Sequence, residues 1–380
     1  MSVDALAARR TGPVYFDDTL RSWVVTDYHC ARAVLISAEW SSDPMSSTVV
    51  RQTLAASGIE ESPLGQSMLM VDAPDHTRLR DSVRDVFTPG YIEQLRGGVQ
   101  AITADTIDPI PTNTAFDLMS EVALPLPVAV ISEWLAIDLR VAQILIDEAA
   151  QLVQGLDSFL APDALLPTAA PFAALVAEFL PLAAQRRADP GDDLLSLLAT
   201  DPALTLAEVV VNAILLAIAG HETTAGLLGA AMIRLLDASS GPPLIDHVDV
   251  TDPAVLEELL RLDGPAQAVS RAALAPMALQ GNQIQVGDRV LVSLYAANRD
   301  PDAFADPDQF RLDRVNAPPQ LALGYGRHRC LGAALTRLET SIALRHLASR
   351  APRLAGEPTW RTTALLRSPA HVPVVLTKGA

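Results

Sequence analysis

The chain is short of cysteine and of positive charge, and each shortage excludes a class of protein. Its 380 residues include two cysteines, Cys30 and Cys330, so a disulfide framework is excluded and the free thiols suit a reducing cytosol. Lysine and arginine total 28 against 45 acidic residues, which gives a net charge of −17. That charge argues against general binding of nucleic acid or of an anionic membrane. We therefore predict a cytoplasmic protein without a nucleic-acid partner.

Long hydrophobic runs are also missing. The longest, from Val209 to Gly220, is too short to span a bilayer and predicts a buried helix. The first ten residues are interrupted by Asp4 and lack the apolar segment of a signal peptide or anchor. Because 49% of the residues are hydrophobic, we expect a large core and no membrane anchor.

The segment Leu323–Gly332 combines a glycine-broken loop, a basic cluster and one cysteine. Apolar residues then recur at helical spacing, at Leu331, Leu335, Leu338, Ile342 and Leu347. Cys330 therefore lies where a loop passes into a helix. The free amides of the first helical turn, with Arg327, His328 and Arg329, favour its thiolate over its thiol. The residue is either a small buried apolar group, or a nucleophile or metal ligand; a hydrolytic pair with the neighbouring histidine is disfavoured by their short separation.

A long helix is predicted from Thr205 to about Leu236. Thr205 and Glu208 form a capping box, and the apolar middle of the helix should run through the interior. Within it lies Ala219-Gly-His-Glu-Thr-Thr224. A glycine and a carboxylate are unfavourable in a buried helix, so this contradiction indicates a functional site. The alternative is a helix kink with a satisfied Glu–Thr pair.

Both segments resemble motifs of the cytochrome P450 family. Residues 323–332 are similar to its haem signature, Phe-Gly-x-Gly-x-His-x-Cys-x-Gly, except that Leu323 replaces the usual phenylalanine. Residues 219–224 resemble its oxygen-activation pattern, Ala/Gly-Gly-x-Asp/Glu-Thr-Thr. By this resemblance, Cys330 is the axial thiolate ligand of a haem iron.

Three further segments match the family in order and spacing. Asp72–Arg80 resembles Asp-Pro-Pro-x-His-x-x-x-Arg, whose histidine and arginine bind a haem propionate. Glu258 and Arg261 match its Glu-x-x-Arg signature, with Arg314 as the third member of a structural network. Arg271 matches a second propionate-binding arginine. The resemblance covers nearly the whole chain.

The resemblance implies an α+β, mainly α fold with a long central helix and a small β region, in a single domain over residues 1–380. It also implies a complete set of site residues. Glu222 and Thr223 would be catalytic: the threonine hydrogen-bonds dioxygen and the glutamate relays protons. The haem b group would be bound by His76, Arg80, Ala219, Gly220, Arg271, Leu323, Gly324, His328, Cys330 and Gly332.

The implied activity is insertion of one oxygen atom from O₂ into a small, largely apolar organic substrate, by hydroxylation or epoxidation in secondary metabolism. Electrons would come from a separate ferredoxin, and NAD(P)H would act indirectly through a ferredoxin reductase. Two alternatives stay open: a P450 that couples or desaturates its substrate without oxygen insertion, and a non-catalytic haem-binding protein.

Two stretches match variable parts of the family that cover the substrate. Residues 41–70 correspond to a helix and loop over the haem, and their alternative is a surface loop. Residues 151–180 are apolar and contain Pro162, Pro167 and Pro171. They correspond to a mobile lid, which would favour an apolar substrate; the alternative is helices packed on the core with a kinked connection.

Overall fold

A computed structural model describes residues 12–56, 58, 64–155, 167–239, 241–314, 316–363 and 365–378. The predictions for the first ten residues, for parts of 41–70 and for residues 156–166 of the predicted lid, Pro162 among them, lie outside the described residues.

Helices dominate the described chain. The α-helices are α1 (Tyr28–Ile36), α2 (Thr48–Ala56), α3 (Asp75–Arg84), α4 (Pro89–Ile92), α5 (Arg96–Ile107), α6 (Pro125–Leu135), α7 (Leu139–Gln154), α8 (Ala169–Ala188), α9 (Leu194–Thr200), α10 (Leu206–Leu236), α11 (Pro253–Asp263), α12 (Leu294–Ala297) and α13 (Ala333–Ser349). A π-helical turn, Met119–Ala123, precedes α6.

The β structure is small. Its strands are β1 (Val14–Asp17), β2 (Ser22–Val25), β3 (Trp40–Ser41), β4 (Ala115–Asp117), β5 (Ala268–Ala273), β6 (Met277–Leu279), β7 (Asn282–Ile284), β8 (Arg289–Ser293), β9 (Pro352–Leu354), β10 (Thr359–Trp360), β11 (Pro369–His371) and β12 (Pro373–Leu376). The main sheet has the order β1-β2-β8-β5-β3, with β2 and β8 parallel and the other pairs antiparallel. In it, Val24 of β2 pairs with Leu291 of β8. The smaller sheets are β4-β12-β9, β10-β11 and β6-β7.

Helix α10 runs through the interior and organises the fold. It begins after Thr205, whose hydroxyl accepts the amide of Glu208 while the glutamate carboxylate accepts the amide of Thr205, as the capping box predicts. Thirty-one residues at 1.5 Å each span about 46 Å. Among the described helices, α10 alone is long and apolar enough to cross a membrane, but most of its apolar stretch is buried inside the protein. It is therefore the core helix that the sequence predicts.

Two hydrophobic cores flank the region of the site. The larger surrounds α10 and includes the inner faces of α6, α8 and α13. The second lies beneath the main sheet and includes Cys30 of α1, which is 5% exposed. The predicted mainly α architecture with a small β region is confirmed.

Candidate active site

The Cys330 loop is held by its own backbone. A 3₁₀ turn spans Gly326–His328, and the amide of Cys330 donates to the carbonyl of Leu323 at 2.8 Å. Gly324 and Gly326 both have positive φ, at 69° and 75°, a region that side chains disfavour. The loop therefore needs glycine at both positions before helix α13 begins at Ala333.

Gly326 also permits a close approach to helix α1. A Cβ atom at this position would lie 2.5 Å from the carbonyl oxygen of Leu35. Since real Cβ atoms essentially never come that close, the cysteine loop can pack on the end of α1 only because residue 326 has no side chain.

The electrostatics of Cys330 correct one prediction. Burial among protein atoms raises the pKa of its thiol, and this outweighs the backbone hydrogen bond from Gly332 and the charges of Arg80, Arg329 and Arg337. The prediction that the surroundings favour the thiolate is therefore wrong for the protein chain by itself, because it counted the charges but not desolvation. The residue nevertheless keeps solvent-accessible surface, so its sulfur is open to a ligand.

His76 and His328 lie together although they are far apart in sequence. Their ring centroids are 4.0 Å apart, and the Nε2 atom of each ring is buried without a hydrogen-bond partner. Burial is the largest cause that lowers the pKa of both rings, to about 3 for His328. A buried donor without a partner is costly, so the two Nε2 atoms indicate a binding partner for this pair.

Arginines surround the two histidines. The charges of Arg271, Arg80 and Arg327 all act on the ring of His328. Burial lowers the pKa of Arg271 to about 10, with Asp72 as its acidic neighbour, so the guanidinium stays charged near neutral pH. Such an excess of positive charge fits an anionic ligand.

These observations fit haem b. The accessible thiol is a suitable iron ligand. The surplus of cations and the two buried Nε2 atoms suit the propionate groups, and the glycine loop allows a flat group to approach the backbone. The described residues contain no cluster of three or more metal-ligating side chains.

Helix α10 places its predicted catalytic residues on different faces. Ala219, Gly220 and Thr223 retain accessible surface in an otherwise buried part of the helix. The hydroxyl of Thr223 donates to the carbonyl of Ala219 at 2.7 Å. Glu222, by contrast, is 2% exposed and pairs with Arg361. A Cβ atom on Gly220 would come no closer than 3.8 Å to Ile131, so protein packing by itself does not require glycine there.

Leu323 packs on a small hydrophobic cluster. Its buried members are Leu227, Leu256, Leu260 and Ala322. The residue that departs from the family signature is therefore accommodated by aliphatic neighbours from α10 and α11. Gly332 forms the N-cap of α13 with φ −76° and open space around its Cα.

The Glu258 network is buried, as the resemblance implies. Its carboxylate accepts both Nε and Nη2 of Arg261, at 2.8 and 2.7 Å, and Nε of Arg314 at 2.9 Å. It also accepts the amide of Arg311 at 3.0 Å. Arg261 continues to the carbonyls of Asn298 and Pro307. The network therefore links α11 to residues 298–314, the segment that leads into the cysteine loop.

Comparisons with known proteins agree with this arrangement. The sequence model of the family "Cytochrome P450" matches residues 245–350. Cytochrome P450 monooxygenase PikC of Streptomyces venezuelae is 36% identical over 373 residues, which cover 94% of this chain and 86% of PikC. The structure of ligand-free CYP164A2 from Mycobacterium smegmatis matches with a TM-score of 0.86 and 32% identity, over 97% of this chain and 94% of that one. The structure of CxnD, a cytochrome P450 for C–S bond formation in chuangxinmycin biosynthesis, has a TM-score of 0.86 and 30% identity, over 99% and 94%.

The fold and the site together define a haem-binding oxygenase. The chain belongs to the cytochrome P450 family. It is an enzyme of the bacterial P450 monooxygenase type, with haem b as its prosthetic group.

The structure adds three residues that the sequence did not single out. Glu339 of α13 is buried, and burial raises its pKa well above the ordinary value. Its position among the apolar residues of α13 is the feature of the sequence that could have identified it. Arg361 pairs with Glu222 from a segment that is distant in sequence, and no spacing pattern predicts this contact. Asn212 is a polar residue in the apolar part of α10, and its side chain links two elements.

Asn212 anchors the segment before α3 to the long helix. Its Oδ1 accepts the amide of Met68 at 2.9 Å, and its Nδ2 donates to the carbonyl of Glu208 at 2.8 Å. Met68 and Met70 are buried beside it. The side chain therefore fixes part of the predicted substrate-covering region.

Replacing Asn212 with leucine should loosen that segment. The change keeps the volume but leaves the buried Met68 amide without an acceptor, which typically costs about 1–3 kcal/mol. We expect a lower melting temperature and faster amide hydrogen exchange over residues 64–71. Unchanged exchange in that segment, with a lower melting temperature, would contradict the anchoring role.

Proposed function

We propose that this P450 inserts one oxygen atom from O₂ into a small, largely apolar organic substrate of secondary metabolism, by hydroxylation or epoxidation. The observation that carries the proposal is the acid–alcohol pair on α10: Glu222 is buried and ion-paired, whereas the neighbouring Thr223 hydroxyl lies on an accessible face. The apolar composition of residues 151–180 supports an apolar substrate.

In this proposal the haem is held by groups from four parts of the chain. Cys330, on the Leu323–Gly332 loop, would provide the sulfur ligand to the iron. His76, Arg80, Arg271 and His328 would bind the propionates, and Ala219 with Gly220 would face the ring. When bound, the haem iron supplies the redox chemistry that activates O₂.

The chain's own part in the reaction is proton handling. Conversion of R–H, O₂, two electrons and two protons into R–OH and water requires that both protons reach one oxygen atom. Thr223 can donate a hydrogen bond at the accessible face of α10, and Glu222, whose carboxylate accepts a hydrogen bond from Arg361, can relay protons towards it. A positioned acid of this kind typically contributes about 10²–10⁴-fold to a rate.

Thr223→Ala and Glu222→Gln should uncouple the enzyme. Both variants should still bind substrate and consume NAD(P)H through a surrogate ferredoxin system. We expect product per NAD(P)H to fall by roughly tenfold or more, with the missing electrons recovered as hydrogen peroxide or water. Thr224→Val is the matched control, since Thr224 is the next residue but is buried, and it should stay much closer to the parent. Full coupling in both Thr223→Ala and Glu222→Gln would overturn the proposed proton route.

The proposed reaction needs two electrons for each oxygen atom that is inserted. We propose a ferredoxin that is reduced by a ferredoxin reductase with NAD(P)H. Arg327 and Arg329, on the cysteine loop, would face an acidic donor there. Few cysteines and the net charge of −17 support a cytoplasmic location, and the motif order supports one functional unit over residues 1–380.

A second candidate is oxidation without oxygen insertion. It is favoured by the similarity to CxnD, whose described role is C–S bond formation. Product mass separates the two: insertion adds one oxygen atom, whereas coupling or desaturation removes two hydrogen atoms. Reactions under ¹⁸O₂ would show the label in the product only for the first.

A further inference from the structure

Arg361 forms an ion pair with the carboxylate that the proposed function places in proton delivery. Its Nη1 lies 2.7 Å from Oε2 of Glu222. The glutamate side chain is 2% exposed and the arginine side chain 24% exposed. The pair therefore joins a carboxylate inside the protein to a group that reaches solvent.

The backbone around Arg361 is fixed against α10 by contacts that do not involve the ion pair. The amide of Arg361 donates to the carbonyl of Ser368 at 3.0 Å. Ser368 lies so close to α10 that a Cβ atom on Gly226, one turn beyond Glu222, would come within 3.2 Å of its hydroxyl. The amide of Arg367 donates to the carbonyl of Pro265 at 2.8 Å. The guanidinium is thus presented to Glu222 from a backbone position that is hydrogen-bonded to Ser368.

We propose that Arg361 is a positioning residue for proton delivery: it holds the Glu222 carboxylate in place and favours its ionised form. The inference rests on the proposed function, because it assigns a role to Arg361 only through Glu222. It goes beyond the acid–alcohol pair, because the controlling charge comes from a segment 139 residues further along the chain.

The charges around the pair support this role. Burial raises the pKa of Glu222, and Arg361 is the group that opposes the rise. His221, the adjacent residue, has its pKa lowered to about 4, by burial and then by Arg361, so it adds no charge near pH 7. Other charged or titratable groups on the described elements packed against α10 are not among the causes of the Glu222 shift. The acidic ones are Glu121, Glu133, Asp147, Glu148, Glu178, Asp246, Glu257, Glu258, Asp263 and Glu339, and the basic ones are Arg140, Arg186, Arg187, Arg261, Arg337, Arg345, His346, Arg353 and His371.

The sign of the effect follows from proton linkage. Without Arg361 the pKa of Glu222 rises further in the folded protein, while its value in the unfolded chain stays near 4.3. A carboxyl whose pKa is higher in the folded state contributes stability at low pH and loses it as the pH rises through that interval. Arg361→Met should therefore lose stability relative to the parent as the pH rises above the ordinary glutamate range.

Four variants test the proposal in the haem-loaded protein: Arg361→Met, Arg361→Lys, Glu222→Gln and the double variant Arg361→Met with Glu222→Gln. Melting temperature is measured against pH, and the infrared absorption of the protonated Glu222 carboxyl is identified by its loss in Glu222→Gln. We expect Arg361→Met to move the titration of that band to higher pH and to lower product per NAD(P)H by roughly tenfold. Arg361→Lys should largely restore the infrared titration and the product per NAD(P)H. A single nitrogen of Arg361 forms the ion pair, and an ammonium group can replace it.

The matched control is Arg367→Met. Arg367 lies in the same segment, stacks on Trp360 at 3.8 Å and pairs with Asp263 at 3.8 Å, but it does not pair with Glu222. We expect Arg367→Met to leave the infrared titration of Glu222 unmoved. In the double variant the pH-dependent loss of stability should vanish.

Different failures have different meanings. If Glu222→Gln leaves coupling intact, the proposed proton route is wrong. If Glu222→Gln uncouples the enzyme but Arg361→Met behaves like Arg367→Met, the positioning role of Arg361 is wrong and the proton route stands. A band that does not shift in Arg361→Met would overturn the inference whatever the activity.

Discussion

Cys330→Ser should abolish the long-wavelength Soret band of the reduced carbon monoxide complex that is characteristic of cytochrome P450s. That band requires a thiolate ligand to iron, and a serine hydroxyl is a poor substitute. Cys330 is exposed in this structure, so the variant should still fold. We expect loss of product formation together with weakened retention of haem, measured by the difference spectrum and the haem-to-protein ratio.

The other cysteine provides the control. Cys30 lies in α1, and burial, with a smaller effect of Asp27, raises its pKa to about 12. It is therefore a neutral core thiol. Cys30→Ser should keep the spectral signature and lower only the stability, by about 1–3 kcal/mol for a hydroxyl in a buried site. An intact band in Cys330→Ser, or its loss in Cys30→Ser, would show that the iron ligand is assigned to the wrong residue.

Glu258→Gln should have the largest effect on folding. The substitution removes the negative charge from a carboxylate that faces the guanidinium groups of Arg261 and Arg314, whose side chains are 2% and 10% exposed. Breaking a buried pair by changing one partner typically costs about 3–5 kcal/mol. We expect poor yield, a lower melting temperature and loss of haem, because the segment that leads to the cysteine loop depends on this network.

The residue before it is a natural comparison. Glu257 pairs with Arg337, and both side chains are substantially exposed, at 44% and 30%. Exposed pairs contribute about 0–1 kcal/mol, so Glu257→Gln should fold and bind haem nearly as the parent does. Equal stability of the two variants would contradict a structural role for the Glu258 network.

The Glu258 network also makes the stability of the fold decrease at low pH. Burial acts to raise the pKa of Glu258, but the hydrogen bonds from Arg261 and Arg314 outweigh it and hold the pKa below its ordinary value. A carboxyl with a lowered pKa stabilises the fold above the unfolded-state value, near 4.3, and loses that contribution as the pH falls through the folded value. The parent should therefore lose part of its stability in acid below about pH 4, where haem release is the simplest measurement.

The sequence by itself determined the features that depend on spacing along one element. Cys330 follows a glycine loop and precedes a helix, the Thr205 capping box starts α10, and Glu258 and Arg261 share a face because they are three residues apart. The first two alone indicate a reactive loop and an interior helix, and the set of motifs in order indicates the family and its mainly α fold. Local chemistry decides these features, so they can be predicted from neighbouring residues.

Only the tertiary structure decided how far each charged group is desolvated and which distant group lies beside it. The sequence places Arg327, His328 and Arg329 beside Cys330 and predicts a thiolate, but in the folded chain burial outweighs the charges of Arg80, Arg329 and Arg337 and raises the pKa of the thiol. It shows Glu222 in an apolar helix without its partner, which is Arg361, 139 residues away. Desolvation and long-range pairing depend on how elements pack together, and spacing within one element carries no information about either.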